Sequence, residues 1–132
     1  MRVKDAVGRF GEEVTADRLR GAGWQILARN WRPPRGSGSG VRGELDIVAC
    51  DGDALVFVEV KTRSGTRFGS PAEAVRPEKV QRIRRLAALW LQAHGAEHRA
   101  GGGGRRRTIR FDVVSVVRGP GGLAVEHLRG AF

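Results

Sequence analysis

The chain has 132 residues, 40% of them hydrophobic, which is material for one modest core, and it carries a formal net charge of +10. No apolar run is long enough to cross a bilayer, the first residues lack the apolar stretch of a signal peptide, and the single cysteine, Cys50, cannot close an internal disulfide. Membrane-spanning and disulfide-scaffold classes are therefore excluded, and the cytoplasm is the expected compartment. The excess of 24 Lys+Arg over 14 Asp+Glu concentrates polyanions at the surface, so nucleic acid is the expected partner. A membrane surface is not, because the cations are scattered along the chain and not gathered beside an amphipathic anchor.

In chain order, Val7, Phe10, Val14 and Leu19 recur at near-helical spacing and predict an amphipathic helix over 5–20, stopped by Gly21 and Gly23. Trp24 to Trp31 reads as a first strand. Residues 33–42, PPRGSGSGVR, are too polar and glycine-rich to pack and read as a flexible loop. Glu44 to Cys50 and Ala54 to Arg63 are two strands joined by Asp51-Gly52-Asp53, a hairpin signal. Ser70-Pro71-Ala72-Glu73 has the form of a capping box and predicts a short helical turn.

Pro77 can open a longer helix, with Val80, Ile83, Ala87, Trp90 and Leu91 as its apolar stripe and His94-Gly95 at its end. A flexible connection over about 99–107, rich in glycine and arginine, leads to a strand over Thr108 to Val117, and Leu123 to Leu128 can supply a last one. The order α-β-β-β-α-β-β, without internal repeat, predicts an α/β fold: a mixed central β-sheet flanked by helices, in a single domain spanning 1–132.

The chemistry concentrates in the hairpin. A two-residue type II′ turn at Gly52-Asp53 sets Asp46 opposite Glu59 and Glu44 opposite Lys61. By alternation Glu44, Asp46, Glu59 and Lys61 then share one face, and Leu45, Ile47, Val58 and Val60 the other. Two carboxylates across a ladder repel each other, and a hard divalent cation such as Mg²⁺ would compensate them while accepting a phosphate oxygen. Lys61 could then orient water or stabilise developing charge. It is one of three lysines, with Lys4 and Lys79, in an arginine-dominated chain. The competing reading is a cross-strand ion-pair ladder, Glu44 with Lys61 and Asp46 with an arginine, and geometry alone does not choose between the two.

The stretch GELDIVACDGDALVFVEVKTR resembles the core of the PD-(D/E)xK, or restriction-endonuclease-like, nucleases, with Asp46 as the hairpin aspartate and Glu59-Val60-Lys61 as the ExK element. More narrowly, the chain is similar to the YraN-like family of predicted endonucleases, relatives of archaeal Holliday-junction resolvases. Gly8 and Glu12, Asn30-Trp31-Arg32, Phe68-Gly69 before Pro71, Arg110-Phe111-Asp112-Val113-Val114 and the terminal Ala131-Phe132 carry that similarity over nearly the whole chain.

The resemblance implies an αβββαβ core, Asp46 and Glu59 as ligands of Mg²⁺ or Mn²⁺, Lys61 as the catalytic lysine, and Glu12 approaching from the first helix. The activity it implies is metal-dependent endonucleolytic hydrolysis of DNA, including branched or structured DNA. A catalytically weak or inactive nucleic-acid-binding adaptor on the same fold is the alternative. Symmetric cutting of two strands would favour a homodimer. The PPRGSGSG segment, Thr15 in place of a common alanine, and the glycine-arginine segment depart from the family pattern.

Without the resemblance, Glu12 would read as an ordinary helix-surface carboxylate. Arg32, Arg35, Arg42 and Arg63 flank the hairpin site in sequence and are expected to hold DNA phosphates, with Lys79, Arg82 and Arg85 extending that footprint. Asp112 is expected to be structural. His94 and His98 lack the order of a zinc-binding helix and read as solvated, and Trp24, Trp31 and Trp90 read as core.

Overall fold

The computed structural model describes residues 3–64, 75–98 and 107–132. Helix α1 runs Val3–Gly21, strand β1 Gln25–Trp31, β2 Leu45–Asp51 and β3 Ala54–Ser64. Helix α2 follows over Pro77–His94, with a 3₁₀ turn at Gly95–His98, and the chain ends with β4 Thr108–Gly119 and β5 Gly122–Leu128. The capping box at Ser70–Glu73, Phe68-Gly69 and most of the glycine-arginine connection lie outside the described residues.

The five strands form one mixed sheet in the order β1-β2-β3-β4-β5. All neighbours are antiparallel except β3 and β4, which run parallel from Ala54↔Thr108 to Ser64↔Arg118. A parallel neighbour needs a crossover, and α2 lies on it. The arrangement is the expected α/β fold, consistent with a restriction-endonuclease-like core.

Alternation along β3 splits the core into two layers. Val56 and Val58 pack with Ala16, Leu19, Trp24, Ile47, Val114 and Val116 on the α1 side, while Leu55 and Phe57 pack with Val48, Ile83, Leu86, Ala87 and Trp90 on the α2 side. Because helices cover both faces, the central runs Ile47–Cys50 of β2 and Leu55–Glu59 of β3 are buried without a break. Each fully buried large side chain, such as Phe57 or Trp90, contributes about 1.5–3 kcal/mol of burial free energy.

The hairpin register agrees with the sequence reading over Ile47↔Val58 to Asp51↔Ala54. Gly52 sits at φ +55° and Asp53 does not share the positive φ, as a type II′ turn requires. Beyond Ile47↔Val58 the expected pairs, Asp46 with Glu59 and Glu44 with Lys61, do not form. Leu45, expected on the face of Ile47, instead joins the α2-side layer. The cause is local: β2 loses its β3 partner here, and Asn30, which stands between the Arg29↔Ile47 and Trp31↔Leu45 pairs, adopts φ +51°. A left-handed residue facing Asp46 breaks the two-residue period of the strand pair.

Candidate metal centre

The site lies in the gap where β2 and β3 part. Asp46, at the start of β2, turns its carboxylate into that gap, where its Oδ2 accepts the Val60 main-chain N–H at 2.8 Å. Glu44 arrives from the segment just before β2 and is tied to Arg32, whose Nε donates to Oε2 at 2.9 Å. Glu59 hangs from β3, nearly buried, and Lys79 in the first turn of α2 places its Nζ 2.6 Å from Glu59 Oε1.

Glu12 comes from α1 on the other side of the sheet, and a close approach of helix to strand brings it in. A Cβ on Gly11 would lie 1.8 Å from Thr62 Oγ1 on β3, so no side chain larger than hydrogen fits at that crossing. Thr15 seals the same turn by donating its hydroxyl to the Gly11 carbonyl at 2.8 Å. The Thr15 departure from the family pattern therefore has a hydrogen bond of its own.

These positions bring ligand oxygens of Glu12, Glu44 and Asp46 within 4.8 Å of one another. Three carboxylates, one from α1 and two from the entry of β2, repel one another at that spacing. Burial, then the neighbouring Glu59 carboxylate, pushes Asp46 up to about 8 against the pull of the Val60 N–H, with Glu12 adding to the rise. Glu12 is also raised, by burial first. The Asn30 side chain opposes that rise through a hydrogen bond, while Glu44 and Glu59 add to it and Arg29 opposes it. Protons or a cation would relieve this repulsion, in addition to the Arg32 guanidinium already bonded to Glu44. All the donors are hard oxygens, the set that a divalent cation of the Mg²⁺ or Mn²⁺ type takes, so the residues present fit such an ion.

Glu59, expected with Asp46 as a metal ligand, lies beside Asp46 and Glu12 but is paired with Lys79 and stands outside the cluster of Glu12, Glu44 and Asp46. Glu44, expected on the shared charged face opposite Lys61, enters that cluster. Its signal was present in Gly43-Glu44-Leu45-Asp46, an acid two residues before the aspartate. Lys61 lies half-buried on β3, where alternation gives it the side of Glu59, and it pairs with Ser115 in the parallel ladder. Lys79, expected among the phosphate contacts, is engaged with Glu59. Of the expected phosphate-binding arginines, Arg32 is bonded to Glu44 yet 72% exposed, Arg42 is exposed and Arg63 half-buried. Arg82 packs its guanidinium against Gly43, whose added Cβ would lie 3.3 Å from Arg82 Nε. Arg32 and Arg82 therefore flank the segment that delivers Glu44.

The remaining candidates are structural. Asp112 is fully buried on the α1 side and accepts from Arg110 through both oxygens (2.9 and 3.0 Å) and from the Gly130 N–H at 3.0 Å, with His127 Nε2 at 2.7 Å. Burial alone would raise its pKa, but these bonds prevail and lower it. The Arg110-Phe111-Asp112 motif and the terminal Ala131-Phe132 prove to be neighbours: Phe132 stacks on Phe111, and the Ala131 N–H bonds the Phe111 carbonyl at 2.8 Å. His94 is not solvated as expected but half-buried against the rings of Trp31 and Trp90, which apolar neighbours on α2 and β1 impose. The side chain of His98 lies outside the described residues. Trp24 and Trp90 are buried as expected, and Trp31 is half-buried at the margin of the α2-side layer. Among the described residues no helix is long and apolar enough to cross a membrane.

Comparison with known proteins matches residues 11–116 to uncharacterised protein family UPF0102. A UPF0102 protein of Frankia alni is 57% identical over 133 residues, covering 100% of this chain and 98% of its own length. One from Beutenbergia cavernae is 50% identical, covering 98% of each chain, and one from Streptomyces coelicolor 48% identical, covering 98% of this chain and 91% of its own.

Proposed function

We propose that this chain, which belongs to the uncharacterised protein family UPF0102, is a divalent-cation-dependent nuclease of the PD-(D/E)xK type that hydrolyses DNA phosphodiester bonds. The observation that carries the reading is the meeting of Glu12, Glu44 and Asp46 oxygens within 4.8 Å in a chain of net charge +10. An acidic centre on a strongly basic protein suits a polyanionic substrate that must be drawn in and then meet a cation at one point.

Asp46, Glu12 and Glu44 would hold Mg²⁺ or Mn²⁺, with Glu59 beside them, and the ion would supply polarisation of the scissile phosphate and a lowered pKa for bound water. Lys61 directs its ammonium to the charge that builds on the phosphate oxygens, or orients the attacking water. Arg32 and Arg82 hold flanking phosphates, contacts that fix register without reading bases. The part-buried setting of Asp46 keeps bulk water from screening these charges.

The test is a cleavage assay of the purified chain on linear, nicked, flapped and four-way DNA, each with Mg²⁺, Mn²⁺ or EDTA. Cleavage that appears with either cation and vanishes in EDTA is the expected result. Binding without cleavage on every substrate would reject the nuclease and leave a DNA-binding adaptor.

A further inference from the structure

We propose that Lys79 is a positioning residue of this site: a built-in counter-ion that holds Glu59 in place while the centre is empty and thereby sets how tightly a divalent cation binds. The inference rests on the cation-site reading above and extends it to a lysine on a different element from the expected catalytic one.

Three observations lead there. The Lys79 Nζ to Glu59 Oε1 distance is 2.6 Å, and the Glu59 side chain is only 7% exposed, so this ammonium serves a carboxylate largely cut off from water. Such a pair is held far more firmly than a surface ion pair, because removing one partner leaves a buried charge uncompensated. Second, Lys79 occupies the first turn of α2, which begins at Pro77. There the helix dipole disfavours a cation, so helix stability does not explain a lysine at this position. Third, Glu59 adds to the electrostatic load on both Asp46 and Glu12. Neutralising Glu59 therefore reduces the repulsion within the whole cluster.

A lysine suits this role better than the arginine that dominates the chain. Its compact ammonium engages one carboxylate oxygen as a point charge, whereas a guanidinium fork tends to take both. By linkage, a residue that stabilises the empty site more than the filled one weakens cation binding by the same factor.

The experiment uses the full chain, without DNA, in wild-type, Lys79→Met and Lys79→Gln forms. Thermal unfolding is recorded in EDTA and in saturating Mn²⁺, and Mn²⁺ affinity is measured by titration calorimetry. Both variants should unfold at lower temperature than wild type in EDTA, with much of that deficit restored by Mn²⁺, and Mn²⁺ should bind them on the order of tenfold more tightly. Should Lys79→Met fail to fold, Lys79→Gln, which keeps a hydrogen-bond donor without the charge, decides alone. An equal deficit with and without Mn²⁺, or unchanged or weaker Mn²⁺ affinity, overturns the proposal and leaves an ordinary structural ion pair. A wild-type chain that binds no Mn²⁺ overturns the cation site itself and this inference with it.

Discussion

The Val60 main-chain N–H donates to Asp46 Oδ2 at 2.8 Å, taking up the donor that an unbroken β2–β3 ladder would have given to the Leu45 carbonyl. One carboxylate thus ends the hairpin pairing and occupies the opening it creates. Glu12 can then enter from the α1 side and Glu44 from the strand entry, which a closed ladder would have prevented.

Asp46→Asn keeps an oxygen for the Val60 N–H but removes the charge. We expect DNA cleavage to fall below detection with DNA binding largely kept, and no loss of stability in EDTA. Retained cleavage in a clean preparation would refute the role of Asp46.

The same carboxyl predicts a pH dependence. Its value in the folded protein, about 8, lies above the ordinary 3.8, so the folded state holds the proton more tightly than the unfolded chain. Stability of the metal-free protein should therefore fall as pH rises from about 4 through about 8, by at most about 1.4 kcal/mol per pH unit for one proton. The raised Glu12 acts in the same direction. Urea unfolding in EDTA at pH 5, 6.5 and 8 measures this slope, and Asp46→Asn should flatten it. Because protons compete with the cation, stabilisation by Mn²⁺ should be larger at pH 8 than at pH 5.

Lys61→Ala should separate chemistry from cation binding. Cleavage is expected to drop by roughly 10²–10³, the usual loss on removing one charge-stabilising group, while calorimetric Mn²⁺ affinity stays within a few-fold of wild type. An unimpaired rate would remove Lys61 from the mechanism.

Gly11→Ala should force α1 away from β3, since its Cβ would meet Thr62 Oγ1 at 1.8 Å. A cost of about 1–3 kcal/mol is expected from overpacking, together with weaker Mn²⁺ binding as Glu12 withdraws. Adding Thr62→Gly, which removes the clashing atoms, should restore part of both in the same unfolding and titration experiments.

Asp112→Asn should unfold the protein more readily without altering the cation site. Its fully buried carboxylate accepts from Arg110 and from the Gly130 N–H and bonds His127, and because Arg110 keeps Asp51 as a partner, the loss should be about 1–3 kcal/mol from weakened buried hydrogen bonds. Because the pKa of Asp112 is lowered, its contribution is present above the ordinary 3.8 and is lost only as pH falls through the lower folded value. Urea unfolding at pH 7 and pH 3 tests both parts, and an undiminished Mn²⁺ affinity at pH 7 distinguishes this residue from the site.

The sequence by itself determined the strands, both helices and the hairpin register from Ile47↔Val58 to the turn, because each depends on local rules. Alternation separates Val56 and Val58 from Leu55 and Phe57, a positive-φ glycine fixes the turn at Gly52-Asp53, and a 3.6-residue stripe aligns Ile83, Ala87 and Trp90. Asp46, Glu59 and Lys61 stood out through the hairpin pattern and the resemblance, although the pair expected between Asp46 and Glu59 does not form. Only the tertiary structure decided where that pairing stops, that Glu44 faces Arg32 and the other acids, and that Lys79 holds Glu59. Those outcomes depend on how closely α1 can cross β3 at Gly11 and where α2 begins over the sheet. Packing between layers sets such distances, and no periodicity along one segment encodes them.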